Sequence, residues 1–411
     1  MTVDKKTLKV CVIGLGYIGL PTAALLASFG FKVIGVDINE KVVDTINKGK
    51  IHIKEPDLNI LVAAAVNSGN LIARLRPEPS DIFIISVPTP FKYNKNKNIK
   101  PDLSYVRSAV FSIVPHLKKG NLVILESTSP VGTTENVVAR IIRDKSGLDI
   151  GKEIFVAYSP ERVLPGKILN ELIMNDRVIG GINSLSAERA KRFYSQFVKG
   201  SIYLTDSKTA EIVKLVENSF RDVNIAFANE ISIIADKIGI NVWELVELVN
   251  KHPRVKMLKP GPGVGGHCIA VDPWFIISQF NKEAKLLRSA REVNNGKTKY
   301  VLNKIINYAK YNGIENIGCL GLTYKENIDD TRESPALDIV EELISSKVAN
   351  IFVCDPYVDQ DKLKNIKLFD LNSTLQKSDL VVILVAHKEF VEMERKKLKN
   401  KKVLDFRGVI T

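Results

Sequence analysis

Of the four cysteines in this sequence, one sits where a side chain could do chemistry. Cys268 lies in Lys259-Pro260-Gly261-Pro262-Gly263-Val264-Gly265-Gly266-His267-Cys268-Ile269-Ala270-Val271-Asp272-Pro273, a stretch too rich in Gly and Pro for a regular helix or strand. Cys11, Cys319 and Cys354 sit inside apolar runs, where a free cysteine behaves as a small hydrophobe. A thiolate displayed on a loop can add to an aldehyde carbon; the thiohemiacetal can lose a hydride to become a thioester, which water hydrolyses to a carboxylate. That chemistry carries a primary alcohol to an acid in two hydride transfers. Glycine amides and cationic side chains nearby could stabilise thiolate and oxyanion. On the loop alone, a structural and a reactive cysteine are equally open readings.

A hydride acceptor is encoded near the start of the chain. The apolar run 8–13 ends in Gly14-Leu15-Gly16-Tyr17-Ile18-Gly19, a helical pattern covers 21–29, and a second run, Lys32–Val36, closes on Asp37. This is the strand, glycine turn, helix and strand of a dinucleotide site: Gly14 for the tight turn, Gly16 to admit the pyrophosphate, Gly19 for helix packing, and the helix N-terminus toward the phosphates. Tyr17 and Ile18 belong to the same turn and join the expected cofactor contacts. Asp37 is placed to bind the adenosine ribose and repel a 2′-phosphate, and Ile38 and Asn39 bring no arginine to receive one, so NAD is expected over NADP. The plainer reading of Asp37 is a turn residue. Val87-Pro88-Thr89-Pro90 and Ser127-Thr128-Ser129-Pro130-Val131-Gly132-Thr133 each follow an apolar run, which puts Thr89 and Thr128 at the ligand-binding edge of an open sheet, as cofactor contacts or as makers of turns and caps.

Several elements must position these groups. Strand candidates at 82–87, 122–127 and 154–157 alternate with helical segments such as 103–117, the mark of a parallel, doubly wound sheet. From about 206 to 248 the pattern is helical, with Ile212, Leu215, Val216, Phe220, Val223, Ala226, Phe227 and Ile231 recurring every three to four positions. A helix this long carries the chain to another domain and suits a subunit interface, so a homo-oligomer is expected, dimeric through this helix or tetrameric. From about Tyr300 the N-terminal order repeats: strand Asn316–Leu320, turn Gly321-Leu322-Thr323-Tyr324-Lys325, helix 334–345, and strand Asn350–Cys354 closing on Asp355. This half lacks the full glycine pattern, so a mononucleotide diphosphate is expected there. The fold class is α/β: two Rossmann-like doubly wound domains joined by a long central helix in a helical middle domain. The expected boundaries are 1–205 for NAD, 206–299 for the dimerising centre with the catalytic loop, and 300–411 for the second nucleotide-binding half.

A length of 411 residues suits two or three domains, and 45% hydrophobic with 26% charged residues excludes a largely disordered chain. The net charge of +13 is scattered, without an RNP, helix-turn-helix or finger pattern, so a small anionic substrate is expected rather than nucleic acid. Met1-Thr2-Val3-Asp4-Lys5-Lys6 holds no apolar leader and no run nears a membrane span, so the protein is expected in the cytoplasm and off the membrane. Cysteines far apart without CxxC spacing speak against disulfides and against a metal site.

The pieces follow one another along nearly the whole chain: the glycine turn, Ser159-Pro160-Glu161-Arg162, Glu211-Ile212-Val213-Lys214-Leu215-Val216-Glu217-Asn218-Ser219-Phe220-Arg221, Gly265-Gly266-His267-Cys268 with Asp272, and Asp330-Thr331-Arg332-Glu333-Ser334-Pro335. Together they resemble the UDP-glucose/GDP-mannose dehydrogenase family. The resemblance implies Cys268 as nucleophile and Lys214 as the lysine that stabilises the alkoxide or oxyanion and exchanges protons, with Asn218 assisting one turn later. It implies Asp272 as the carboxylate that orders a proton-accepting water, and Glu161 as the one that serves thioester hydrolysis. It places Thr128 near the nicotinamide, brings Arg332 to the cofactor from the C-terminal half, makes the ligand of that half a UDP-sugar, and puts Tyr324 and Lys325 on the substrate, Lys325 at its diphosphate. Without the joint pattern, Lys214 and Asn218 read as an exposed helix stripe and Glu161 as a cap.

Lys251-His252-Pro253-Arg254-Val255, with the cysteine loop and its continuation Trp274-Phe275, is similar to the branch acting on UDP-N-acetyl-D-mannosamine, whose product enters surface polysaccharides and glycans. That likeness implies substrate contacts from Arg162, Val163, Arg221, His252, Arg254 and Gly265, with Arg254 reaching a neighbouring subunit; the plainer role of His252 and Arg254 is to anchor a loop. Epimers differ by the placement of one acetamido group, so UDP-N-acetyl-D-glucosamine is the alternative substrate. A catalytically inactive nucleotide-sugar-binding protein is an alternative of another class, against which Lys214, Cys268 and Asp272 speak together. A 3-hydroxyacid or phosphogluconate-type dehydrogenase needs neither the Cys268 loop nor the second Rossmann-like half.

Overall fold

The structure, a computed structural model, describes residues 8–53, 55–93, 99–266 and 268–410. Residues 1–6 and His267 of the cysteine loop lie outside them. The chain divides into two compact units, Met1–Val216 and Glu217–Thr411.

The first unit holds strands β1 (Lys9–Ile13), β2 (Lys32–Val36), β3 (Leu71–Arg74), β4 (Ile82–Ile85), the hairpin β5 (Phe91–Tyr93) and β6 (Ile99–Pro101), then β7 (Leu122–Leu125), β8 (Phe155–Tyr158), β9 (Arg177–Gly181) and β10 (Ile202–Asp206). Apart from the hairpin they form one sheet in the order β10-β9-β8-β7-β4-β1-β2-β3. The order reverses between β1 and β4, the place where open α/β sheets bind ligands. Alternate residues face opposite cores: Val10 and Val12 belong to the one that holds Phe31, Phe193 and Phe197, Cys11 and Ile13 to the one that holds Val110, Val138 and Tyr158. Both faces being covered, the central strands β4, β7 and β8 are continuously apolar and buried, whereas the edge strand β3 alternates. One pairing departs from the expected parallel sheet. β9 runs antiparallel to β8, because the segment between them returns from the carboxyl end of β8 instead of crossing back to its start.

The expected helical stretch 206–248 is two helices. Ser207–Ile238 is continuous over 32 residues; Gly239 then adopts φ +76°, and Asn241 caps Val242–Val249 by accepting the amides of Trp243 and Glu244. The first turn of the long helix is tied into the first unit by Glu211. Its buried carboxylate accepts the Gly132 amide at 2.5 Å and both the amide and the hydroxyl of Thr134 at 2.7 Å.

In the second unit the helix Lys285–Asn312 packs on the Ser207–Ile238 helix through buried polar side chains. Asp222 receives Arg291 and Asn294, both at 2.7 Å; Asn229 donates to Asn294 at 2.8 Å and accepts the Gly261 amide at 2.9 Å, which pins the base of the cysteine loop. Beyond it, β11 (Asn316–Leu320), β12 (Asn350–Cys354), β13 (Leu380–Ile383) and β14 (Lys402–Asp405) form a parallel sheet in the order β12-β11-β13-β14, reversing between β11 and β13. The helix Pro335–Ser346 covers it, with Ser334 as cap. Among the described residues no helix is long and apolar enough to cross a membrane.

Glu211→Ala would leave the amides of Gly132 and Thr134 buried without their acceptor, at a cost of about 2–4 kcal/mol. Calorimetry should show the earliest unfolding transition at lower temperature; a wild-type midpoint would contradict the tether.

Candidate active site

In the first unit the glycine turn is built by lack of space. Gly14 adopts φ +92°, and a Cβ there would stand 2.4 Å from the Ser86 carbonyl; a Cβ on Gly19 would stand 1.8 Å from the Gly14 carbonyl. Gly16 is the contrast: apart from its chain neighbours nothing of the protein lies within 4 Å of where its Cβ would be, so its backbone is open to close approach. No side chain caps the helix Gly19–Ser28 at Ile18, which leaves its positive end for phosphate. Asp37 accepts the Leu15 amide at 3.1 Å and the Asn39 amide at 2.9 Å while staying half-exposed, with Ile38 and Tyr17 exposed beside it. These residues fit NAD: a phosphate cradle, then a carboxylate with acceptor capacity left for ribose hydroxyls.

At the carboxyl ends of β4 and β7 two loops are tied together. Thr89 donates its hydroxyl to the Thr128 carbonyl at 2.7 Å, and Ser127 accepts the Val87 amide at 3.0 Å and donates to the Val87 carbonyl at 2.8 Å. The Thr89 proton is therefore spent on holding Thr128 in place. Glu161, after β8, is fixed on both oxygens: Oε1 accepts the Arg162 amide at 2.7 Å and Oε2 pairs with the buried Arg177 at 3.0 Å. The Arg162 guanidinium donates to the Asp176 carbonyl, and Val163 is half-buried alongside. Lys214 is half-buried, one turn before Asn218 on the long helix.

In the second unit Cys268 is exposed, and its carbonyl accepts the amides of Val271 and Asp272 at 3.1 and 2.8 Å, so the chain turns from the cysteine straight into the helix Asp272–Gln279. Asp272 is 3% exposed and receives the Asn218 side-chain amide at 2.5 Å. The other cysteines are buried, and burial pushes the thiols of Cys11, Cys319 and Cys354 each up to about 12. The glycines of the loop have a structural cause that composition did not reveal. A Cβ on Gly265 would meet the Glu333 carbonyl at 2.2 Å, and one on Gly266, at φ +83°, the Tyr324 ring at 2.7 Å. The loop thus lies flat on Tyr324, and Lys325 is half-buried next to it. Arg332 pairs through two nitrogens with Asp330 at 2.9 and 2.7 Å, and its side chain is half-exposed. His252, Arg254 and Arg221 are exposed; the loop bearing the first two is closed by Asn250, which exchanges hydrogen bonds of 3.0 and 2.7 Å with Met257. Among the described residues no group of three or more His, Cys, Asp or Glu is arranged to hold a metal.

The second Rossmann-like half repeats the first at the level of single bonds. Gly321 has φ +98°, its amide donates to the Cys354 carbonyl at 2.9 Å, and Asp355 accepts the amides of Leu322 and Tyr357 at 2.7 and 2.9 Å. Gly14, Val36, Asp37, Leu15 and Asn39 make the same set. Asp355, however, is buried and also receives His387 Nε2 at 3.1 Å, while His387 Nδ1 accepts the Asn327 amide at 2.9 Å. Burial pushes the Asp355 carboxyl up, but His387 and the two amides outweigh it and hold it below the usual range. Asp355 has no face to offer a ribose. Sequence reasoning noted the aspartate at the strand end and missed His387, which is far off in sequence and carries no motif; it missed Arg177 for the same reason, and Glu126 and Asn250 because each stands just outside a segment it singled out.

Three family models match the chain: the NAD binding, central and UDP binding domains of the UDP-glucose/GDP-mannose dehydrogenase family, over residues 8–198, 208–296 and 318–411. The chain is 55% identical to a UDP-N-acetyl-D-mannosamine dehydrogenase of Campylobacter jejuni, over 95% of this chain and 98% of that one. It is 50% identical to an NDP-N-acetyl-D-galactosaminuronic acid dehydrogenase of Ralstonia solanacearum, over 97% and 96%. A solved UDP-D-ManNAc dehydrogenase from Pyrococcus horikoshii superposes with a TM-score of 0.90 at 40% identity, over 98% and 96%.

With one exposed thiol and three raised by burial, a small alkylating reagent near neutral pH should add to one cysteine per native chain, mapped to Cys268 by peptide mass spectrometry. Labelling of Cys11 or Cys319 at a similar rate would refute the contrast.

Proposed function

The chain belongs to the UDP-glucose/GDP-mannose dehydrogenase family, and from that premise we propose that it oxidises C6 of UDP-N-acetyl-D-mannosamine twice with NAD, giving the mannosaminuronate through a covalent Cys268 intermediate. The observation that carries this reading is the contrast among the cysteines: Cys268 alone is exposed, on a loop that leads directly into the buried Asp272. When bound, NAD accepts a hydride in each oxidation; Gly14, Gly16, Gly19, Tyr17, Ile18, Asp37, Thr89, Thr128 and Arg332 are the residues proposed to hold it.

The chain's own groups supply the rest. The Cys268 sulfur adds to the aldehyde carbon, and loss of hydride from that adduct leaves a thioester. Lys214, with Asn218, stabilises the negative oxygen of each tetrahedral state. Asn218 also donates to Asp272, which keeps that carboxylate in one orientation for ordering water. Glu161 takes the proton of the hydrolytic water. Arg162, Val163, Arg221, His252, Arg254, Gly265, Tyr324 and Lys325 are the proposed substrate contacts. UDP-N-acetyl-D-galactosamine joins the glucosamine epimer as a competing reading, since a relative at 50% identity is named for the galactosaminuronic acid.

The long helix supports a homodimer. Phe220, Phe227, Ile234 and Ile238 are 70%, 56%, 45% and 64% exposed, and the first three repeat every seventh position, which puts an apolar stripe along one side.

Cys268→Ser should abolish the second oxidation, read as NADH formed per substrate consumed, while substrate binding stays near wild type; wild-type yield would remove the covalent mechanism. Among the three UDP-N-acetylhexosamines and UDP-glucose, kcat/KM should favour the mannosamine epimer by at least about tenfold, and a faster epimer would reassign the sugar. Phe227→Glu should convert a sedimenting dimer into monomer; a monomeric wild type at micromolar concentration would end the dimer reading.

A further inference from the structure

Behind Glu161, inside the first unit, lies an acid that the proposed reaction does not use. Glu126 follows β7 and is 3% exposed; its Oε1 accepts the Tyr194 hydroxyl at 2.7 Å, and its Oε2 meets no hydrogen-bond donor among the described residues. Arg177, the first residue of β9, faces both acids. Its guanidinium donates to Glu161 at 3.0 Å and to the Ser159 hydroxyl at 3.4 Å, lies 4.5 Å from the centre of the Tyr194 ring, and keeps an Nε–H without an acceptor among the described residues. One buried arginine is therefore bonded to Glu161 and lies within electrostatic reach of Glu126, with one acceptor atom on Glu126 and one donor atom on Arg177 left over.

We propose that Glu126 is a positioning residue for Glu161: uncharged, it leaves Arg177 committed to Glu161, and on ionising it draws Arg177 toward itself and makes Glu161 the stronger base. The proposal rests on the reading of Glu161 as the base of thioester hydrolysis. In that step water adds to the thioester carbonyl and the C–S bond breaks; one proton of the water returns to Cys268 as its thiol, the other goes to Glu161, and the sugar leaves as carboxylate. A guanidinium pulled toward its partner carboxylate lowers that carboxylate's basicity, and a guanidinium shared with a second acid lowers it less.

Charge balance favours this division. Two carboxylates and one guanidinium in a dry site carry an uncompensated charge, which burial penalises. Burial pushes Glu126 up to about 7, the charge of Glu161 adds to the rise, and Arg177 and the Tyr194 hydrogen bond oppose it. Those are the groups that face it: Arg177 from β9, Glu161 from the segment after β8, and Tyr194 from the helix Ser184–Tyr194.

The test follows thioester hydrolysis by rapid-quench kinetics in Glu126→Gln, Tyr194→Phe and wild type. Glutamine keeps an acceptor for Tyr194 but cannot ionise, so the ratio of its hydrolysis rate to wild type should fall about three- to tenfold between about pH 6 and about pH 8, with KM unmoved. Tyr194→Phe removes a bond that lowers the Glu126 value, so its pH limb should move upward. A second readout needs no turnover. The folded value lies above the ordinary 4.5, so protonated Glu126 contributes stability that is complete below the unfolded value and lost as pH rises through about 7. The unfolding midpoint should decline over that window in wild type and less in Glu126→Gln. Variants that follow the wild-type profile in both readouts overturn the proposal. Glu161→Gln separates the two ideas: if it hydrolyses the thioester at the wild-type rate, the role of Glu161 fails; if it accumulates thioester while Glu126→Gln behaves as wild type, only the role of Glu126 fails.

Discussion

Each nucleotide-binding half depends on one carboxylate that closes the turn after its first strand. A glycine forced into the left-handed region turns the chain, and the amide that follows it would be stranded without an acceptor. Asp37 and Asp355, at the ends of the neighbouring strands β2 and β12, supply it. What else that carboxylate meets decides the use of the half. Asp37 faces outward with acceptor capacity to spare, whereas Asp355 is turned inward onto His387. The same backbone arrangement thus leaves an outward-facing carboxylate in one half and a buried Asp355–His387 pair in the other.

A second constraint is close approach. The loop before Cys268 has glycine at 265 and 266 because backbone and the Tyr324 ring occupy the space that side chains would take. The loop is therefore moulded onto the C-terminal sheet's first turn, and Cys268, the proposed nucleophile, is carried on a surface shaped by the half that the family model names as UDP binding. A Gly- and Pro-rich composition, which looks permissive in sequence, is here the signature of a tight fit.

Much of this was legible beforehand because it is written in local order. Strands β2, β11 and β12 coincide with apolar runs that end on a glycine turn or an aspartate, and Asp37, Gly14, Gly16 and Gly19 announce themselves by spacing. The cysteine loop stood out by composition, and Asp272 and Lys214 by membership of a joint pattern. Groups that act across the sheet were not legible. Arg177 reaches Glu161 from the next strand, and His387 reaches Asp355 across 32 residues, as ordinary residues in ordinary runs. The break at Gly239 was hidden by an apolar periodicity that continues on both sides of it, and the antiparallel β9 depends on where a connection emerges, which no periodicity encodes.

The buried Asp355–His387 pair has a kinetic corollary. Among the described residues the Asp37 turn keeps an outward carboxylate while Asp355 is committed to His387, so a single dinucleotide site is expected per chain, yet the proposed reaction would reduce two cofactors for each sugar. Spent cofactor must therefore depart and a fresh one arrive while a half-oxidised sugar waits, and a free aldehyde could leave in that interval. Commitment to the second oxidation would then be a race between cofactor exchange and escape of the intermediate, and the proposed covalent hold on the sugar would keep the race from being lost.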